Sequence, residues 1–150
     1  MAYPYKKMQE EDFDYIRSVT AEDRVWTGDE IAREYYHDEM PEYGEYPPEL
    51  YVEVENTEEI SKIMAYAYQE NIPVVCRGAG TGLAGGATCK YGGIMLSIMR
   101  MNRIFPVDHK NQTITAEPGA LLIDIQAAAA AEGLFYPPDP GEKTASIGGN

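Results

Sequence analysis

The sequence predicts one domain of mixed helix and strand that is not a doubly wound parallel sheet. Three observations carry this. Apolar patterning alternates between the helical and the strand period along a chain of 150 residues, a length that suits one domain with a real core. Five glycines (Gly78, Gly80, Gly82, Gly85 and Gly86) follow directly on the apolar stretch Ile72-Pro73-Val74-Val75-Cys76. The next apolar strand, Gly93-Ile94-Met95-Leu96-Ser97-Ile98, then arrives with no helix between, where a doubly wound fold needs a crossover helix.

Taken in order, residues 9–19 have the spacing of a short amphipathic helix, with Phe13, Ile16 and Arg17 behind an acidic first turn. Arg24-Val25-Trp26-Thr27 is a short strand candidate and residues 29–37 a short helix candidate. Residues 40–48 carry three prolines and read as a loop. Tyr51-Val52-Glu53-Val54-Glu55 alternates as a strand does. Asn56 is expected to cap a helix with Glu59 at its third position, and Ile60, Ile63, Met64 and Ala67 give that helix one apolar face through about Asn71. Ile104 to Val107 and Thr113 to Glu117 flank a hairpin connection. Leu121, Leu122, Ile125, Ala128 and Ala129 mark a helix ending at Gly133. The proline-rich Tyr136-Pro137-Pro138-Asp139-Pro140-Gly141 is irregular.

Charge is distributed unevenly. Residues 1–70 carry 19 Asp and Glu against 6 Lys and Arg, and residues 71–150 carry 6 against 6, so the whole net charge of −13 precedes the glycine run. No basic patch exists to neutralise phosphates along a nucleic acid, which argues against that partner. The acidic half reads as a solvated surface, with a docking face for a basic protein as the alternative. Cys76 and Cys89 lack CxxC spacing, and with only His37 and His109 besides, no metal pattern emerges. No apolar stretch approaches the roughly 20 residues of a membrane span. Met1 to Lys7 lacks the apolar core of a signal peptide, so a reducing cytoplasm is expected.

Gly80-Thr81-Gly82-Leu83-Ala84-Gly85 spells G-x-G-x-x-G, and Asp108 follows some twenty residues later, as in a nicotinamide-binding fingerprint. That fingerprint sets its pyrophosphate on a helix N-terminus. Here Gly86 leads to Ala87-Thr88-Cys89-Lys90-Tyr91-Gly92-Gly93, which has no apolar helical face. The loop must therefore hold an anion through its own backbone N–H groups, as a nest. A hydrogen bond to a charged group is worth roughly 1.5–3 kcal/mol, so three or four give about 5–12 kcal/mol before association costs. A micromolar complex needs about 8 kcal/mol. A second contact surface is therefore expected.

Pro73 to Leu83, Met101-Asn102-Arg103-Ile104, Glu117-Pro118-Gly119, Tyr136 to Gly141 and Ile147-Gly148-Gly149-Asn150 together resemble one family. It is the FAD-linked oxidases of the vanillyl-alcohol-oxidase type, which carry a PCMH-type FAD-binding domain. The nearest branch looks like the glycolate oxidase D subunit and the D-lactate dehydrogenases. The resemblance implies an α+β fold with FAD held between two small α/β subdomains, residues 1–48 being an acidic extension and 49–150 the N-terminal portion of the FAD-binding domain. The chain then reads as the start of a longer protein, whose remainder completes the site and adds a substrate domain.

Carried over by position, the resemblance implies that Arg77, Gly78, Ala79, Gly80, Thr81, Gly82 and Leu83 wrap the pyrophosphate. Pro138 and Asp139, with Thr144, Ala145, Ser146, Gly148, Gly149 and Asn150, would approach the flavin and its ribityl chain. A rigid turn or a plain loop is the competing reading of that second group. Relatives that attach FAD covalently do so through a His or Cys near the glycine loop. Cys89 lacks that context, so FAD is expected to be non-covalent.

The activity implied is hydride transfer from a D-2-hydroxy acid to flavin, with an electron-transferring flavoprotein as one acceptor used in the family. No catalytic base can be named in the chain. Tyr36, His37 and Asp38 fit a structural role better. A non-catalytic FAD-binding or interaction module is the alternative.

Overall fold

Four short strands and three helices order themselves around one mixed sheet. The computed structural model describes residues 4–150; Met1 to Tyr3, the start of the expected acidic extension and of the segment read for a signal peptide, lie outside the described residues. The helices are α1 (Glu10–Val19), α2 (Thr57–Gln69) and α3 (Leu122–Ala131). The strands are β1 (Val25–Thr27), β2 (Leu50–Glu53), β3 (Val74–Arg77) and β4 (Ile94–Ser97), in sheet order β1-β2-β4-β3. Strands β2, β4 and β3 are mutually parallel, and β1 pairs antiparallel with β2 at the edge.

Strand alternation divides the core between the two faces of the sheet. Leu50, Val52, Ile94 and Leu96 face one way and pack with Ile16 of α1 and with Ile63 and Ala67 of α2. Tyr51 and Met95 face the other way and gather Ile31, Cys89, Trp26, Tyr35, Tyr36 and Val75. The second face carries the glycine run. Asn56 caps α2 as its sequence requires, its side chain accepting from Glu59 N–H at 2.9 Å. Glu59 in turn holds buried Arg24 through paired bonds of 2.9 Å each. Asp12, with no exposed surface, is saturated: it accepts from Lys6 Nζ at 2.8 Å, Tyr66 Oη at 2.7 Å and Gln9 N–H at 2.7 Å.

The link from β3 to β4 crosses between parallel neighbours without a helix, as the sequence predicts. Two expectations are corrected. Residues 29–37 form no α-helix but two 3-10 turns, Gly28–Glu30 and Arg33–Tyr36. The chain is extended at Ile31 (ψ 117°) and Ala32 (ψ 140°), where Ile31 is buried against the second face of the sheet, and this breaks the i→i+4 ladder between the two turns. The strand expected from Ile72 starts at Val74, because Ile72 N–H closes the end of α2 onto Ala67 O at 2.8 Å. Beyond the sheet, Ile104 and Ala116, and Asp108 and Thr113, form antiparallel bridges of the expected hairpin. Helix α3 stops two residues before Gly133, with Leu134 N–H returned to Ala129 O. Among the described residues no helix is long and apolar enough to cross a membrane.

Candidate functional site

The Tyr51 face of the sheet holds a cavity of about 460 Å³, walled on one side by Gly78, Ala79, Gly80 and Thr81. Glu34, Tyr35, His37, Asp38 and Glu39 form a second wall, and Leu121 with Thr144 a third; Ser97, Met99, Tyr51 and Glu53 close the floor. Three stretches far apart in sequence therefore meet at the glycine loop.

The loop is held open by Arg77, which is only 7% exposed. Its guanidinium donates to His37 O at 2.8 Å, Glu34 O at 3.2 Å and Ala87 O at 3.2 Å, and lies 5.6 Å above the Tyr35 ring. Tyr35 stacks on Tyr51 at 4.2 Å, which packs against Trp26 at 5.3 Å. This column ties the loop to the sheet and to the N-terminal segment. Gly80, at φ +77°, lies where a Cβ would fall 2.2 Å from an Arg77 nitrogen, so its missing side chain is the space the guanidinium uses.

With its ends braced in this way, the loop makes almost no use of its own donors. Among the described residues, no backbone N–H from Gly78 through Ala87 donates to a protein acceptor. Buried and half-buried main-chain donors are normally paired. A run of unpaired N–H groups beside a cavity is therefore a receptor for acceptor oxygens, phosphates above all.

Of the residues the sequence singles out, Gly78 to Thr81 line the cavity. Gly82 contributes its carbonyl to Glu39 N–H at 3.1 Å, and Leu83, 68% exposed, offers the site only its backbone. Arg77 turns its charge onto carbonyls of the chain itself. Thr144 is brought to the same cavity, and Ser146 touches the loop so closely that a Cβ on Gly78 would lie 2.0 Å from its Oγ. Ala145 and Ser146 are buried: Ala145 O accepts from Leu122 N–H at 3.0 Å, and Ser146 bridges Leu121. Gly148 packs on Pro118, Gly149 N–H donates to Ser146 O at 3.0 Å, and Asn150 Nδ2 donates to the same carbonyl at 3.1 Å.

Pro138 and Asp139 are not brought there. Pro138 lines a separate cavity of about 370 Å³ with Phe135, Tyr136 and Ile114, and exposed Asp139 accepts from Gly141 N–H at 3.3 Å. Asp108, the acidic residue of the nicotinamide spelling, is a hairpin-turn residue whose carboxylate accepts from Asn111 N–H at 3.0 Å.

Sequence reasoning missed the floor and the second wall. Tyr35, Tyr51 and Ser97 gave no signal beyond ordinary strand or loop patterning. Tyr36, His37 and Asp38, weighed in the sequence as catalytic candidates and set down as structural, were the one pointer to the second wall. Burial pushes the Tyr51 hydroxyl upward and the Cys89 thiol up to about 12, so neither ionises near neutrality.

An α+β domain that presents unpaired main-chain donors, with side chains withdrawn at Gly78, Gly80 and Gly82, fits the phosphates of a dinucleotide. Residues 48–150 match the family described as FAD binding domain, and the chain belongs to that family. It is 43% identical over 148 residues to a D-lactate dehydrogenase of Anaerostipes hadrus, covering 99% of this chain and 31% of that protein. It is 40% identical over 117 residues to glycolate oxidase subunit GlcD of Bacillus subtilis, covering 77% of this chain and 25% of that one. The chain thus spans less than a third of the length of these relatives.

Alkyldihydroxyacetonephosphate synthase superposes with a TM-score of 0.82 at 18% identity, over 97% of this chain and 32% of that one. p-Cresol methylhydroxylase does so at 0.72 and 19%, over 89% and 27%. These likenesses establish the fold, an α+β domain of the PCMH type. FAD is the cofactor of the family, and the donor set fits it.

Proposed function

We propose that the chain is the part of a flavin-dependent oxidoreductase that grips the pyrophosphate of FAD, and that the whole protein oxidises a D-2-hydroxy acid of the lactate or glycolate kind. The observation that carries the first statement is the run of unpaired N–H groups from Gly78 to Thr81, which line the same cavity as Thr144. The likeness to a D-lactate dehydrogenase and to a glycolate oxidase subunit supports the second.

Bound flavin supplies the acceptor for a hydride from the α-carbon of the substrate. The chain's own residues bind and orient. Main-chain donors of the loop hold phosphate oxygens, Arg77 keeps those donors from collapsing inward, and the Gly78–Ser146 contact sets the spacing between the two walls. Attachment is non-covalent on this reading, since burial holds Cys89 as an inert thiol. A cytoplasmic location and an electron-transferring flavoprotein as acceptor belong to the same reading.

The test is titration of FAD into the intact protein that carries this chain, read by flavin fluorescence and visible absorbance, followed by anaerobic addition of D-lactate and of glycolate. Bleaching of bound flavin by either acid is expected. Binding without bleaching would leave a non-catalytic FAD-binding module, and no binding overturns the assignment of the loop.

A further inference from the structure

Among the described residues, one buried side-chain oxygen or nitrogen lacks a hydrogen-bond partner, and it is Oδ2 of Asp38. The residue is 3% exposed and lines the 460 Å³ cavity, its Oδ2 lying 3.7 Å from where a Cβ on Gly82 would be. The other oxygen is used, Oδ1 accepting from Met40 N–H at 3.0 Å. The backbone on either side is clamped, His37 O by Arg77 and Glu39 N–H by Gly82 O, so the carboxylate is held against the loop. A buried carboxylate oxygen without a donor opposes folding, and such a group calls for a reason.

The other carboxylates at the cavity differ. Glu53 is occupied by Arg100 and by Tyr51 Oη, while Glu34 and Glu39 are exposed. Two unmet needs therefore share one cavity: unpaired N–H donors along the loop, and an unpaired acceptor on Asp38. A bare phosphate or pyrophosphate answers the first and aggravates the second, since its negative charge falls against the carboxylate. A dinucleotide answers both, because its pyrophosphate adjoins sugar hydroxyls.

Resting on the FAD reading above, we propose that Asp38 Oδ2 accepts a hydrogen bond from a sugar hydroxyl next to the pyrophosphate. Asp38 is then a positioning residue. It fixes how far the cofactor slides along the loop and selects a dinucleotide over inorganic phosphates.

Asp38→Asn tests this, because it keeps an oxygen for Met40 N–H and places an NH2 donor where Oδ2 was. In the intact protein, affinities for FAD, ADP, FMN and inorganic pyrophosphate are measured with the melting temperature of the FAD-free form. The expected result is FAD binding weaker by about 10-fold or more, the loss of one hydrogen bond to a charged group. Pyrophosphate binding should tighten, and the FAD-free protein should melt higher. If the hydroxyl belongs to the adenosine ribose, ADP shares the loss; if to the ribityl chain, FMN does.

Asp38→Ser, which keeps a turn-forming oxygen at shorter reach, should weaken FAD in the same way. FAD affinity within twofold of wild type in both variants overturns the proposal. So does a parallel loss of FAD, pyrophosphate and melting temperature, the mark of a merely structural aspartate. A wild-type protein that binds no FAD overturns the site reading as well, which separates the two failures.

Discussion

A single missing side chain sets the shape of the loop at Gly80. Its positive φ costs an L-residue about 1–2 kcal/mol, and a methyl there would strike the Arg77 guanidinium. Gly80→Ala is therefore expected to lower the melting temperature and to abolish measurable FAD binding in a fluorescence titration. Gly86→Ala, where a Cβ meets nothing within 4 Å, is the control and should change neither. Arg77→Lys should be as harmful as Gly80→Ala. One ammonium cannot serve carbonyls on three separate turns, and losing two charge-assisted bonds costs about 3 kcal/mol. Denaturant unfolding measures it directly.

At the scale of elements, the site depends on how the segment around Ser146 meets the glycine loop. Gly78→Ala would push on the Ser146 hydroxyl and part the two walls. The expected result is a loss of FAD affinity with little change in stability, partly restored by adding Ser146→Gly. A double-mutant cycle on FAD affinity reads the coupling, and strictly additive effects would show that the contact does not matter for binding.

The N-terminal strap offers a separate pH test. Burial works against ionised Asp12, but Lys6, Gln9 N–H and Tyr66 outweigh it and hold the carboxyl below its usual range. A carboxyl depressed on folding contributes stability above its unfolded value of about 3.9, and loses it as pH falls through the lower folded value. Acid unfolding of the wild type should therefore steepen below about pH 4. Asp12→Asn should be less stable at pH 7 and flatter across that acid range, as circular dichroism would record.

For the whole molecule, the acidic half and the glycine half are not separate bodies. Strand β1 completes the sheet at its edge, α1 packs on α2, and Glu34, Tyr35, His37, Asp38 and Glu39 wall the cavity that the loop opens onto. The net charge of −13 therefore surrounds a site that takes an anion. Raising ionic strength should screen that surface and tighten FAD binding modestly, by less than about threefold between 0.05 and 0.5 M salt. A marked weakening would instead mean that charge attraction, rather than main-chain donors, carries the affinity.

What the sequence determined by itself was local or repeated. Glycine spacing, the N-cap at Asn56, the helix end at Gly133 and the missing helix after Gly86 all act within a few residues, so their physics is written in neighbouring letters. From these the loop could be read as a main-chain anion receptor, and the motif order placed it in its family. Tertiary structure decided which distant groups answer that loop. It put Ser146 against Gly78, kept Pro138 and Asp139 away, and turned Arg77 from an anion ligand into a brace. It broke the helix expected at residues 29–37 by burying Ile31 in an extended conformation, and buried Asp38 beside the cavity with one oxygen unmet. Arg77 to Ala87 apart, the contacts that do this (Gly78 with Ser146, Arg77 with Glu34 and His37, Asp38 with Gly82) span 40 or more positions, where neither propensity nor spacing carries a signal.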